Sequence, residues 1–184
     1  MATDDARFVA QWSLSSADNK GLPFAIVDKK AAKLFLFDRR GHLLGSTPVL
    51  LGLAPGDHAV PGVGELEPSR IPPADRTTPA GRFDSEPGVN LQGEDVVWFD
   101  YDAGLAIHRL RPGPSAERRV QRLASPDTAG RRVSLGCVVV PVAFYEKAIA
   151  PVLGRQRGVV YVLPETRSAQ TLFGGSFQVG LRRP

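Results

Sequence analysis

The stretch RRVSLGCVVVP, residues 131–141, holds the only cysteine of the chain. Polar residues and Gly136 lead to Cys137, and three valines follow. A thiol attacks as the thiolate, and an unperturbed thiol has a pKa of about 8.5. A nucleophilic Cys137 therefore needs a neighbouring base, which a histidine can provide. There are three histidines. His42 sits just past a turn, where an exposed polar residue is expected, and His58 lies in a proline-rich loop. His108 ends the apolar run LAIHRL. If Leu105 and Ile107 face a core, strand alternation points His108 to the other face, where it can line a groove. The residues between His108 and Cys137 suffice for a short helix and a returning strand, which would set the two on neighbouring strands. Gly136 removes a side chain beside the thiol and lets the backbone bend. N–H groups freed at such a bend can hold an oxyanion. The alternative is a packed structural thiol, since free cysteine is among the most buried residue types. Residue type and spacing alone leave both readings open.

The elements that must position these groups are mostly strands. FAIVD (24–28) and KLFLF (33–37) read as buried strands. DRRG (38–41) is a turn, and HLLGSTPVLLG (42–52) returns, a hairpin pattern. Residues 54–76 are too rich in proline and glycine for a helix and read as a long surface loop. TTPAGRF (77–83) is a turn leading into a strand. EDVVWFDYD (94–102) and LAIHRL (105–110) read as strands joined near Ala103 and Gly104. PSAERRVQRLAS (114–125) is a helix candidate, with Ser115 as its cap and Glu117 in its first turn. VSLGCVVV (133–140) reads as a strand interrupted at Gly136. In VAFYEKAIAPVL (142–153), Tyr145, Ala148, Ile149 and Val152 fall on one helix face. GVVYVLPE (158–165) closes the core. Residues 1–22 read as polar and irregular, with at most a short ordered segment around 8–12. Residues 166–184 read as a polar tail with one apolar patch, LFGGSF. The fold class expected is mainly β, a sandwich or barrel with about two helices packed on one side.

Composition narrows the function classes. At 42% hydrophobic and 23% charged over 184 residues, the chain fits one globular domain with tails. A single cysteine excludes an internal disulfide and a multi-cysteine zinc site. Asp100 and Asp102 alternate on one strand face without a histidine cluster, so no metal is expected, and no cofactor is implied. The net charge is +4, but the arginines fall in scattered pairs with no interleaved aromatics, so nucleic acid is not an expected partner. Trp98, Phe99 and Tyr101 read as core and groove wall, and Arg76 and Arg82 as solvated charges. No run approaches the roughly 20 apolar residues of a membrane span. Residues 1–20 also lack the basic start and apolar middle of an export signal.

Several of these segments, taken in order, resemble the L,D-transpeptidase catalytic domain, also called the YkuD domain, over residues 23–165. The resemblance is carried by His108 in AIHRL and by Ser-Leu-Gly-Cys at 134–137. TTPAGRF is similar to the family's Thr-Pro-x-Gly-x-Phe motif, and AIVDKKAAKLFLFDRRGHLLGSTPVLLG to its first hairpin. FYEKAIAPVL followed by GVVYVLPE is similar to a bacterial subgroup. The resemblance divides the chain into an N-terminal segment (1–22), a catalytic domain (23–165) and a C-terminal tail (166–184).

It implies a YkuD-like β-sandwich or barrel that attacks peptidoglycan tetrapeptide stems, releases the terminal D-alanine and forms a thioester, resolved by an amine, by water or by a D-amino acid. Cys137 would be the nucleophile, His108 the base and Ser134 a supporting hydrogen-bonding group. The backbone at Leu135, Gly136 and Cys137 would form the oxyanion hole. Arg109, or else Arg131 or Arg132, would supply substrate-binding charge. β-Lactams, carbapenems in particular, would acylate the cysteine. The implied location is the bacterial periplasm or cell envelope, with the export segment already removed. The sequence departs from the family pattern at Leu135, where many members have histidine, at Val139, where many have arginine or asparagine, and in a longer His-to-Cys insert. The alternatives are an L,D-carboxypeptidase or amidase-like peptidase using the same pair, and a non-catalytic wall-binding scaffold.

Overall fold

The continuous apolar runs at 24–27 and 159–163 have the pattern of strands covered on both faces, and the structure covers them so. In the computed structural model, which describes residues 2–174 apart from the side chain of Ala116, β1 (Phe24–Asp28) is buried throughout. It pairs antiparallel with β2 (Lys33–Phe37) and parallel with β10 (Gly158–Val162). Alternation splits each strand between two cores. Ala25, Val27, Leu34, Leu36, Val160 and Val162 point inward, and Phe24, Ile26, Phe35, Phe37, Val159 and Tyr161 point outward.

The remaining strands are β3 (Leu43–Pro48), β4 (Leu51–Gly52), β5 (Gly81–Val89), β6 (Asp95–Asp100), β7 (Leu105–Arg109), β8 (Arg132–Ser134) and β9 (Val138–Val140). Eight of the ten form one sheet in the order β3-β2-β1-β10-β5-β6-β7-β9, while β4 and β8 pair separately. The chain leaving β3 crosses to the far edge of that sheet. There Leu50 exchanges two backbone hydrogen bonds with Val139, at 2.9 and 3.0 Å. That bridge brings the two ends of the sheet together into a nearly closed barrel or sandwich, which is the fold class the sequence led us to expect. The strand read at 133–140 is two strands in two sheets, because the chain bends at Leu135 and Gly136.

The outward face is covered by α1 (Asp4–Ser15) and α5 (Ala169–Phe173). The expectation of an irregular 1–22 is corrected here. Thr3 caps α1, accepting from the Ala6 N–H at 3.2 Å and donating to Asp28 at 2.5 Å. Trp12 packs against Tyr161 and Phe173, with ring centroids 6.1 and 5.7 Å away. Two of the three positions that α1 buries are small or polar, Ala6 and Ser13 beside Val9. Its apolar stripe is therefore faint in the sequence, and capping and packing hold it. Of the tail, 166–174 is described and contributes α5; the apolar patch LFGGSF lies partly outside the described residues.

Inside, α3 (Val142–Phe144) runs through a π-helical turn (Tyr145–Ile149) into α4 (Ala150–Val152). The wider turn puts Tyr145, Ile149 and Leu153 in the core, while Ala148 and Val152 are only partly buried. The candidate helix at 114–125 is shorter than expected. Ser115 starts a 3-10 turn rather than capping a helix, Arg118 is left-handed at φ 47°, and α2 covers only Arg119–Ala124. Among the described residues no helix is long and apolar enough to cross a membrane, and no group of three His, Cys, Asp or Glu side chains could hold a metal ion.

Candidate active site

β7 and β9 run parallel in a register that pairs His108 with Val139. Cys137 enters β9 two residues earlier, so the fold brings the base candidate alongside the strand that carries the thiol. Gly136 makes the bend before it. Its φ is +131°, and a Cβ there would lie 2.7 Å from the Thr77 carbonyl and 2.8 Å from Leu105. No residue with a Cβ fits, which accounts for the glycine.

Two hydroxyls fix the bend. Ser134 donates to the Cys137 carbonyl at 2.7 Å and accepts from the Gly136 N–H at 3.1 Å. Thr78, fully buried, donates to the Gly136 carbonyl at 2.8 Å and accepts from the Gly52 N–H at 2.9 Å. Because Ser134 occupies the Gly136 N–H, that group is not open to a ligand. Among the described residues the Leu135 and Cys137 N–H groups meet no acceptor.

The His108 Nδ1 lies 2.8 Å from the Arg109 carbonyl. A carbonyl only accepts, so Nδ1 carries the proton and Nε2 keeps its lone pair. Burial lowers the His108 pKa to about 4, and Arg111 and Arg119 push in the same direction, against the Arg109 carbonyl and Glu94. The imidazole is therefore neutral at pH 7. The Cys137 thiol is only partly exposed, and its Sγ lies 3.7 Å from the Gly104 carbonyl. Burial pushes the thiol up, and the Ala106 N–H and the Arg111 charge only partly offset this. No hydrogen bond joins His108 to Cys137 among the described residues, and catalytic hydrogen bonds often tighten only when substrate is bound. At rest the imidazole and the thiol are therefore both neutral, not a thiolate and an imidazolium. Alkylation of Cys137 by iodoacetamide is accordingly expected to be slow at pH 7 and to rise only in the alkaline range; a fast reaction at pH 6 would contradict that state.

The arginines assigned to substrate charge lie elsewhere. Arg109 follows His108 on β7 and so takes the opposite face, 4.9 Å over the Tyr145 ring and 3.6 Å from Glu146. Arg131 is buried and donates to the carbonyls of Ala32 and Ser125. Arg132 is paired with Glu165. The structure does not bring these three to the thiol. Arg82, read as a solvated charge, is paired with Asp18 at 2.9 Å and Asp84 at 2.8 Å. Val139 is buried against Leu50 and Leu123, the latter from α2. The segment between His108 and Cys137 thus covers Val139 through Leu123.

Behind the bend lies an ionic cluster that the sequence did not reveal. Lys29, fully buried, donates to Asp57 at 2.8 Å and to the Thr78 carbonyl at 2.9 Å, with Glu165 at 3.5 Å. Asp57 also accepts from the Glu165 and Thr166 N–H groups at 2.8 and 3.0 Å. Lys29 follows a strand in a charged stretch, so its pattern reads as a solvated turn. Thr78 lies within TTPAGRF, the one signal that pointed toward this layer.

No protein-family model matches the chain, and no curated protein matches it either. Among solved structures it is similar to the helical cell shape determining protein Pgp2 from Campylobacter jejuni, with a TM-score of 0.51, 17% identity, and coverage of 80% of this chain and 49% of that one. It is also similar to the LD transpeptidase LdtMt1 in complex with imipenem, with a TM-score of 0.45, 17% identity, and coverage of 77% and 58%. A third is the catalytic domain of the E. faecium L,D-transpeptidase, with a TM-score of 0.44, 18% identity, and coverage of 77% and 96%. The chain thus spans about half the length of the Pgp2 and LdtMt1 chains it matches. The likeness to Pgp2 is one of fold, and most of the solved structures matched are L,D-transpeptidase domains.

Proposed function

We propose that the chain is a cysteine acyltransferase acting on peptidoglycan stem peptides in the bacterial cell envelope, with 23–165 as its catalytic unit. The observation that carries this reading is the His108 tautomer. Its Nδ1 proton is held by the Arg109 carbonyl, which leaves Nε2 as a base beside the strand of the chain's single thiol. The ordered motifs and the fold support the same chemistry. The name of Pgp2 further suggests a role in cell shape.

In the proposed cycle, Sγ of Cys137 attacks the carbonyl carbon of a stem peptide as His108 Nε2 takes the thiol proton. The Leu135 and Cys137 N–H groups hold the oxyanion. Ser134 and Thr78 position the bend without touching substrate. Collapse of the tetrahedral adduct breaks the C–N bond, and His108 returns the proton to the departing amine. An acceptor amine then attacks the thioester, His108 takes its proton, and the thiol is restored.

Intact-mass spectrometry after incubation with a carbapenem tests this. One adduct is expected on Cys137, and none on a Cys137→Ala protein that melts like the parent. An unmodified parent protein would overturn the proposal in favour of a scaffold. With stem tetrapeptide as donor and a second stem as acceptor, a cross-linked dimer marks transpeptidation, and tripeptide alone marks the hydrolytic alternative.

A further inference from the structure

We propose that the cavity over β5 and β6, walled by Trp98 and Tyr101, is a saccharide-binding subsite that seats a neutral pyranose ring of the glycan strand carrying the acyl donor. That the ring belongs to the donor's glycan rests on the acyl-transfer reading above; the aromatic corner itself does not. The sequence alone left these aromatics as core and groove wall. Phe99 is indeed in the inner core, but Tyr101 is 74% exposed and Trp98 only half-buried. Val97 and Phe99 take the inner face of β6, so Trp98 takes the outer one. A Cβ at Gly88 would lie 2.7 Å from Trp98 Cδ1 and 2.8 Å from its Nε1. Glycine on the neighbouring strand is thus what lets the indole lie down on the sheet. The Tyr101 ring stands across it, with centroids 5.3 Å apart and planes at 71°. The two rings make a corner in a cavity of about 320 Å³, in the size range of small-molecule sites.

The charged side chains of the walls come in opposite pairs. Lys20 lies 4.0 Å from Asp84, and Arg157 lies 3.5 Å from Glu86. Exposed pairs of this kind are weak and readily exchanged for other partners, and their balanced charge selects neither an anion nor a cation. It suits a neutral ligand with many hydroxyls, each of which can donate to a carboxylate and accept from an ammonium or a guanidinium. The C–H face of a pyranose is apolar, and its hydrogens match the negative face of an aromatic ring. The corner and its rim therefore meet both surfaces of a sugar.

Strand register ties the cavity to the thiol. Glu86 pairs with Trp98, and Trp98 pairs with Ala106. β7 and β9 run parallel with Ile107 opposite Val138, so Ala106 and Cys137, each one residue earlier, continue the row. Tyr101 opens the turn in which the Gly104 N–H donates to the Tyr101 carbonyl at 3.0 Å, and the Gly104 carbonyl lies 3.7 Å from Sγ. From β6 to β9 is two strand spacings, roughly 10 Å. In a tetrapeptide stem that loses its last residue, three residues separate the sugar from the carbonyl under attack, a reach of about 10 Å. A donor with that carbonyl at Sγ can therefore bring its sugar to the Trp98–Tyr101 corner.

Calorimetric titration of the Cys137→Ala chain with peptidoglycan glycan strands stripped of their stems tests the site. Saturable binding is expected. Trp98→Ala should weaken it at least tenfold, and so should Tyr101→Ala, which removes an exposed ring and should leave Tm unchanged. Absence of binding, or binding untouched by both substitutions, overturns the site. A Tyr101-dependent dimer in sedimentation, with no glycan bound, would give the face to a second copy of the chain instead. D-Alanine release by the parent chain separates this claim from acyl transfer. A stem still attached to its disaccharide is expected to show a KM at least tenfold below that of the free tetrapeptide, with kcat little changed, and the advantage should vanish in Tyr101→Ala. Release at equal KM removes the subsite and leaves the acyl transfer. Tyr101-dependent glycan binding without release keeps the saccharide site and removes its link to an acyl donor.

Discussion

A His108→Ala protein is expected to be acylated at Cys137 at least a hundredfold more slowly than the parent at pH 7. A positioned general base contributes roughly 10²–10⁴-fold, and here the thiol has little thiolate of its own, because burial raises its pKa. The rate should therefore depend on Nε2 rather than on a preformed ion pair. The pH profile carries a second signature. With the His108 pKa lowered to about 4, the acidic limb of parent acylation is expected near pH 4, well below an ordinary histidine, and should be absent in His108→Gln. The same shift affects stability. Because the imidazole is held neutral in the fold, the unfolded chain binds the extra proton between about pH 6.5 and 4. Its contribution is complete above 6.5 and is lost as the pH falls through that window. Carbapenem acylation followed by mass spectrometry gives the rate, and a melting curve separates loss of the base from loss of the fold. An unchanged rate in a folded His108→Ala protein would reduce His108 to a packed imidazole.

Asp57→Ala is expected to cost about 3 kcal/mol or more in a urea melt, the range for breaking a buried pair and leaving one charge behind. The Lys29 ammonium would keep the Gly56 and Thr78 carbonyls and the more distant Glu165, but the Glu165 and Thr166 N–H groups would each lose an acceptor. The effect should extend to the site. Lys29 holds the Thr78 carbonyl, and Thr78 holds Gly136, so slower acylation should accompany the lost stability. Acid should imitate the substitution. Burial alone would raise the Asp57 carboxyl, but hydrogen bonds from Lys29, Thr166 and two backbone N–H groups outweigh it and hold the pKa well below the usual carboxylate range. The contribution is therefore complete above the unfolded value of about 3.9 and is lost as the pH falls below it. Asp57→Asn should flatten that acid loss. A midpoint within about 0.5 kcal/mol of the parent in Asp57→Ala would show that the cluster does not support the bend.

Of the candidate site, the sequence exposed what depends on local pattern. Alternation in LAIHRL set His108 opposite the core-facing Leu105 and Ile107. Gly136 marked a break in the strand, while the supporting role of the Ser134 hydroxyl, which the structure sets on the bend, was implied by the resemblance alone. Each is a property of a few consecutive residues, and period and turn chemistry carry such information. The hairpin at 33–48 was legible for the same reason. Helix α1 was not, because its stability comes from a capping threonine and a sheet face supplied by strands far along the chain, and propensity is only a weak guide where packing decides.

What only the tertiary structure decided is which charges meet. Arg109, Arg131 and Arg132 look as available in the sequence as Arg111, Arg118 and Arg119. The fold turns Arg109 onto Tyr145, buries Arg131 beneath backbone carbonyls, pairs Arg132 with Glu165, and leaves the other three around a cavity. Nothing in the sequence singles out Lys29 or Asp57, yet they meet in the interior behind the thiol's bend. The energy of a charge depends on its dielectric surroundings and on its partners' positions. Neither is a property of a residue or its neighbours in the chain, so the sequence by itself determined a thiol, an imidazole and the strands near them, while their electrostatic setting came into being only with the closed sheet.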